Sequence, residues 1–398
     1  MFSSLKVRNF RLYWLGMLIS LVGTWVQYFA QSWLMFSLTN STFLLGLVSF
    51  LSYIPVFLLA LLGGVAADRV NKRKILLFTQ HAFMLLAFLL AVLTHMKKIT
   101  PLQIMFIALA NGVVMAFDAP ARQAVVAELV GKEHLLNAVA LNSAAFNSAR
   151  IIGPALAGLL IAGIGMSGCF YVNGISFFAV IIALLLININ NVPKAVPGKF
   201  LIKDLADGLK FIKDNRIILA LISMVAVTSI FGVSYVVLMP VFAEEVFKVG
   251  AGGLGVLMSF TGIGALVAAL ILARLGDFKY KGRLLVSSAL IFSISLILFS
   301  FSRWFLFSLI ILIFVGGASV TAIGIVNTLL QILVPDRYRG RVMSVFMLTF
   351  AGFMPFGNLF AGILAHFIGV SLTVFTGGVV CLIFFITINV IYPRLRGI

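Results

Sequence analysis

Charge is scarce in this 398-residue chain: Lys, Arg, Asp and Glu together make up 10% of it, against about 25% in soluble globular domains. Acidic residues are scarcer still, 11 against 29 basic ones. So little charge excludes a soluble fold, because the remaining side chains cannot all be hidden from water, and the same apolar content excludes disorder. Cysteine is nearly missing, with two in the whole chain, Cys169 and Cys381. That excludes a disulfide scaffold and a multi-cysteine metal domain. Four histidines, His81, His95, His134 and His366, are scattered without ligand spacing, so no metal site is expected. No Gly-Lys-Ser/Thr string occurs: Gly131-Lys132 is followed by Glu133 and Gly198-Lys199 by Phe200. A phosphate-binding loop is therefore excluded, and Gly250–Gly255 opens an apolar span with no strand before it.

What the chain has in excess is apolar length. Hydrophobic residues make up 62% of it, and the mean hydropathy is +1.18. No charged residue occurs from Leu12 to Ala67. A membrane helix needs about 20 mostly apolar residues, because its backbone groups must be satisfied inside the segment. The Leu12–Ala67 stretch therefore holds two helices, divided at Thr39-Asn40-Ser41-Thr42. Continued along the chain, the pattern predicts twelve spans, at 11–37, 43–66, 75–95, 101–118, 138–165, 170–189, 217–240, 252–273, 284–301, 305–332, 342–366 and 371–391. The fold class expected is an all-α membrane protein of two pseudo-symmetric six-helix bundles. The domains expected are residues 1–189, a linker over 190–216, and 217–398.

With the N-terminus inside, alternate loops divide the basic residues unequally. Twenty-four of the 29 fall on the inner side, four (Lys97, Lys98, Lys248, Arg303) on the outer, and Arg150 inside a span. This bias predicts both termini in the cytoplasm. It also accounts for the net charge of +18 without nucleic acid, since the cations sit in short loops beside an anionic leaflet. In the linker, Leu201, Leu205, Leu209 and Ile212 recur at helical spacing among Lys203, Asp204, Asp207, Lys210 and Lys213. That pattern is an amphipathic helix, either lying on the membrane surface or serving as a simple tether.

The chain also repeats itself. Gly63-Gly64-Val65-Ala66-Ala67-Asp68-Arg69 with its basic tail returns as Leu275-Gly276-Asp277 followed by Lys279, Lys281 and Arg283. Gly112 and Leu129-Val130 match Gly316 and Leu333-Val334 at a constant offset of 204, and Pro154 has a partner in Pro355. Matching turns six spans apart indicate a duplicated unit with a path between its copies.

Together these features resemble the major facilitator superfamily. Gly64-x-x-x-Asp68-Arg69 is similar to its loop signature, with Asn71 where a glycine is usual. Ala149-Arg150-Ile151-Ile152-Gly153-Pro154-Ala155-Leu156-Ala157-Gly158 is similar to its exporter signature, with Ala149 and Ala157 in place of two glycines. Asn9-Phe10-Arg11-Leu12, Asp118-Ala119-Pro120-Ala121-Arg122-Gln123-Ala124 and Asp204–Phe211 resemble the branch that contains the enterobactin exporter and the macrolide efflux proteins. The resemblance implies a monomeric carrier in a bacterial inner membrane. It would export a small amphiphilic molecule, siderophore or drug-like, against protons, with the proton-motive force as its energy source and no cofactor. A lipid flippase of the same fold and a proton-coupled uptake symporter are the alternatives. An enzyme is not expected, for no acid–base or nucleophile cluster lies at one depth.

Several residues are candidates for the pathway. Arg150 sits about three turns into its span, where a charge needs a reason. It is an anion anchor, a partner for a proton-carrying acid, or a structural donor to carbonyls. Asp118, two residues before Pro120, is either the N-cap of a short helix running through Arg122 or a titratable acid. At the 204 offset Asp118, Arg122 and Arg150 face Ala322, Val326 and Met354, so these charges belong to the first half alone. Ser20, Thr24, Gln27 and Gln31 share one helical face, to line a cavity or to bond a neighbouring helix. Asn111, Asn327, Gln331 and Asn358 are further polar candidates. For gating, Asp68 favours a helix N-terminus, and the resemblance assigns a latch to Gly64, Asp68, Arg69 and Arg73, with Asp277 in the second half. Gly153, Pro154 and Gly158 permit a kink or a close helix approach.

Overall fold

The computed structural model describes residues 3–187, 201–276 and 278–397. Asp277 and the linker segment 190–200 lie outside the described residues. Eleven described stretches are long and apolar enough to cross a membrane. One of them, Glu133–Leu186, has 54 residues. As one straight helix it would be about 80 Å long, far beyond a hydrocarbon core of about 30 Å. It is two spans, divided at Gly165, whose φ of 74° ends one helix and aims the next. Twelve spans result. They are α1 (Arg8–Thr39), α2 (Thr42–Arg69), α3 (Lys72–His95), α4 (Pro101–Gly131), α5 (133–164) and α6 (166–186) in the first half. The linker helix α7 (Leu201–Asp214) follows. The second half has α8 (Arg216–Val246), α9 (Gly250–Leu275), α10 (Lys281–Phe301), α11 (Phe305–Leu333), α12 (Asp336–Ile368) and α13 (Val370–Ile391).

Local chemistry sets the helix starts. Asn71 caps α3 by accepting from the backbone of Lys74 at 3.1 Å. Thr100 and Gln103 form a reciprocal capping box ahead of Pro101 at the start of α4.

The fourth span corrects an expectation. Predicted over 101–118, it continues through Pro120 to Gly131, where φ is 65°. Asp118 therefore lies inside a helix and is not an N-cap, and Arg122 lies in the span rather than in a loop. At Pro120 the neighbouring span leaves room for the freed carbonyl. Proline leaves the Ala116 carbonyl without its donor four residues on. Gly63 of α2 is set directly against that carbonyl, where an added Cβ would overlap it.

By contact the chain forms two compact units. One comprises Met1–Asn40, Leu51–Gly198 and Ala251–Gly255; the other Ser41–Phe50, Lys199–Gly250 and Val256–Ile398. Each is built on the same close crossings. In the first unit the first span meets the fifth where Gly153 lies on Trp25, and the sixth where Gly16 lies on Ala179. The second meets the fourth where Gly112 lies on Ser52, and the third meets the sixth where Gly174 lies on Phe88. The second unit repeats all four pairings, through Gly357 on Ile230, Gly377 on Phe231, Gly316 on Thr261 and Gly378 on Ile297. Gly112 and Gly316, matched in sequence at offset 204, thus hold equivalent crossings. Small residues let backbones approach where lipid supplies no hydrophobic drive between helices.

The linker helix docks on α12 within the second unit. Gly208 lies against Arg341, which an added Cβ would crowd, and Asp207 pairs with Arg341 at 3.1 Å. Phe211 stacks on Tyr338 with centroids 4.4 Å apart, and Ile212 is buried. The contact with protein replaces the plain tether. Leu209, in the predicted apolar stripe, stays exposed.

Three outcomes follow from this packing. Gly316→Ala and Gly112→Ala should each destabilise purified protein by about 1–3 kcal/mol through overpacking, read as a lower thermal midpoint. Gly64→Ala should leave the midpoint level or raise it, because nothing lies within 4 Å of the added methyl. Gly208→Leu should undock α7, so that limited proteolysis cuts residues 199–216 several-fold faster while the spans stay intact.

Candidate functional site

The charged candidates gather in the first unit. Asp118 is 4% exposed, and four donors reach it. Its Oδ1 accepts from the Thr79 hydroxyl at 2.8 Å and from Gln80 Nε2 at 2.7 Å, both on α3. Its Oδ2 accepts from Arg122 Nε at 2.9 Å and Nη2 at 2.6 Å, one turn further along α4. Donors alone surround the carboxyl, which is the complement of an ionised carboxylate. Tyr13 of α1 is buried within electrostatic reach of both charges. Phe10, Met17, Leu76, Ala121, Val125 and Leu184 form a closed apolar core around the site. In such surroundings a charge pair is strong, and stripping one partner costs about 3–5 kcal/mol.

Arg150 lies elsewhere on the same unit. It is half-buried on α5, four residues after Phe146 and three before Gly153. Those two residues pack on Trp25 of α1: the Phe146 ring sits 5.7 Å from the Trp25 ring, and Gly153 lies against the Trp25 Cβ. Helical spacing therefore puts Arg150 on the α5 face that meets Trp25. Tyr28 continues the wall, tilted against Trp25 at 6.2 Å and stacked on Tyr53 of α2 at 6.3 Å. Its hydroxyl donates to the Met115 sulfur of α4 at 3.8 Å. Phe146 is exposed and Trp25, Tyr28, Tyr53 and Met115 are half-buried, so this wall is not part of the closed core. Met115 stands one helical turn before Asp118, so the wall and the carboxylate adjoin along α4.

The polar stripe of the first span faces α6. Asn173 Nδ2 donates to Gln27 Oε1 at 2.7 Å, and Gly23 lies against Ser176 and Asn173. Ser20, Gln27 and Gln31 are buried, and Thr24 bonds the Ser20 carbonyl of its own helix at 2.8 Å. Gln27 thus makes the interhelical bond that its stripe allowed. Asn111 bonds the Ile107 carbonyl at 3.0 Å. In the second unit Gln331 donates to Asn327 at 2.9 Å, and Asn358 donates to the Ser49 hydroxyl at 2.7 Å.

Among the gating candidates, Asp68 and Arg69 are exposed in the last turn of α2; Asp68 does not begin the third span, which starts at Lys72 behind the Asn71 cap, so it stands at a helix C-terminus where the dipole does not favour an anion. Arg73 is tied into the first unit, its Nε on the Leu184 carbonyl at 2.6 Å and its Nη2 on that of Leu185 at 2.8 Å. It caps the end of α6, where carbonyls lack helical donors. Close by, Lys72 pairs with Glu128. Gly158 lies against Gly252 and the Pro154 carbonyl against Gly255, all within the first unit. Thr79, Gln80 and the aromatic wall were not candidates from sequence. Thr79-Gln80 was the available signal, two adjacent polar residues inside an apolar span.

The profile of the family described as transmembrane secretion effector matches residues 1–396. The staphyloferrin A transporter of Staphylococcus aureus is 27% identical over 357 residues, covering 88% of both chains. Macrolide efflux protein A of Streptococcus pyogenes is 23% identical over 90% of this chain and 89% of its own. The enterobactin exporter of Shigella flexneri is 23% identical over 77% of this chain and 72% of its own. In fold, the chain matches a bacterial homologue of the human lysosomal transporter Spinster, with a TM-score of 0.76, 12% identity and 98% of each chain covered. Spans, repeat and likeness converge: the chain is a transporter and not an enzyme, and it belongs to the transmembrane secretion effector family of the major facilitator superfamily.

Proposed function

We propose that this protein is a proton-driven exporter of a small amphiphilic molecule, siderophore or drug-like. It works as a monomer in a bacterial inner membrane, with both termini in the cytoplasm, a topology that the basic bias of alternate loops supports. The observation that carries this reading is the Asp118–Arg122 pair. It lies in the apolar interior of a span, and the matching positions of the second half are Ala322 and Val326. A pair serving the fold alone would recur with the repeated crossings. The names of the staphyloferrin A, enterobactin and macrolide relatives support the substrate class.

In this reading the half-buried Arg150 anchors an acidic group of the cargo, and the wall of Trp25, Tyr28, Tyr53 and Phe146 takes its apolar body. A proton on Asp118 removes the countercharge of Arg122, and a guanidinium without one in a dry interior is costly. Helices α1, α3 and α4 then shift together, and Met115 passes that shift to the wall one turn away. Cargo and proton thereby bias the same two-state element.

Arg150→Ala should abolish export while the protein still inserts and accumulates, measured as cargo retained inside cells; normal export by this variant would remove Arg150 from the mechanism. Asp118→Asn should lose substrate-driven proton release in proteoliposomes while keeping downhill exchange of cargo. Wild-type proton release from that variant would make Asp118 a structural acceptor only. The cargo is identified by comparing metabolites in the medium of a deletion strain and its parent, with iron limitation as one condition.

A further inference from the structure

Asp118 presents its two oxygens to two different kinds of neighbour. Oδ2 meets only the guanidinium of Arg122, which has donors and no acceptor. Oδ1 meets Thr79 and Gln80, and each of these carries an acceptor beside its donor. The Thr79 hydroxyl has two acceptors in reach, Asp118 Oδ1 at 2.8 Å and the Leu76 carbonyl at 3.0 Å. Its single proton serves one at a time. Gln80 is 1% exposed, and its Oε1 has no hydrogen-bond partner among the described residues. Buried carbonyl oxygens are rarely left so.

Half a turn of the Gln80 amide exchanges nitrogen and oxygen without moving the rest of the side chain. In the observed orientation the nitrogen bonds Asp118 and the oxygen has no partner among the described residues. The state of Asp118 decides which end of the amide faces it. Facing an ionised Oδ1, the amide must offer N–H. Facing a protonated Oδ1, it must offer its oxygen. A proton on Oδ2 would instead set an O–H against the N–H groups of Arg122, donor against donor.

We propose that the coupling proton is taken at Asp118 Oδ1 and that Gln80 is the positioning residue that receives it, its amide turning so that Oε1 accepts from the new O–H. This inference rests on the proton-coupling reading of Asp118. One proton leaves hydronium and forms one O–H bond on Oδ1, and the carboxylate loses its charge. The Thr79 proton swings to the Leu76 carbonyl, Arg122 keeps Oδ2, and no other bond changes. The charged and titratable groups facing Asp118 are Arg122 on α4 and Tyr13 on α1. From α3 it meets only neutral Thr79 and Gln80; His81 is exposed and bonds the Leu77 carbonyl, and Lys72 and Glu128 pair further along the helices. The cluster thus holds two hydrogen-bond arrangements, selected by one proton.

The test is pH-difference infrared spectroscopy of the full-length protein in lipid nanodiscs, with glutamine isotopically labelled at the side-chain carbonyl. On acidification a carboxyl band should appear that is absent in Asp118→Asn, accompanied by an isotope-sensitive change in a glutamine amide band. In Gln80→Leu the amide change should vanish and the carboxyl band should move toward the frequency of a carboxyl without an acceptor. A wild-type carboxyl that titrates with no glutamine change overturns the inference, even if the Gln80→Leu protein fails to fold. So does a Gln80→Leu band left where it was. A carboxyl band that never appears overturns the coupling reading beneath it, and this inference with it.

Discussion

A carboxylate inside a membrane span is stable only while every lone pair it exposes is answered, and Asp118 imposes that demand on three helices at once. Arg122 answers from the same helix, Thr79 and Gln80 from α3, and Tyr13 closes the site from α1. An unanswered charge there costs several kcal/mol, a large share of the 5–15 kcal/mol or so by which ordinary domains are stable. The register of α3 against α4 is therefore fixed by charge at this level, and elsewhere by shape. No other described region joins an acid and a base in so apolar a setting.

Shape does its part through glycine. Lipid offers helices little reason to associate, so contact depends on how near two backbones come. The four repeated crossings use glycine on one side and a backbone or a flat ring on the other. Because both halves use the same pairs of spans, the duplicated architecture is recorded in packing as well as in the turns. The Asp118 cluster, the aromatic wall and Arg150 are additions to one copy of that frame.

Much of this frame was legible in the sequence. Hydropathy gave the spans because backbone satisfaction leaves a membrane segment few options. The offset of 204 gave the repeat and located Gly112 and Gly316 correctly as equivalents. The end of the fourth span was not legible. Pro120 and the charges around it read as a helix end, and only the approach of Gly63 explains why the helix goes on. The candidate site was legible in its charges and not in its partners. Asp118 and Arg150 stand out because a charge in a span is rare, whereas Gln80 on α3 is an ordinary polar residue until folding sets it against Asp118. Gln27 shows the converse. Its periodic stripe was plain, but periodicity cannot say whether the neighbour is water or Asn173. The docking of α7 depends on Tyr338 and Arg341, more than 120 residues away in sequence, and no local pattern carries that information.

Arg73 shows how one side chain answers two unrelated constraints. As a positive charge in the first turn of α3 it belongs to the basic residues flanking the spans, the kind of charge that biases how a chain threads a bilayer during insertion. As a planar fork it grips the carbonyls of Leu184 and Leu185, a contact that exists only once α3 and α6 have met. Lysine would satisfy the translocation machinery equally well but has no fork to span two carbonyls. The guanidinium at this position therefore records an assembly requirement hidden within a biogenesis signal, and a tally of loop charge by itself cannot tell the two apart.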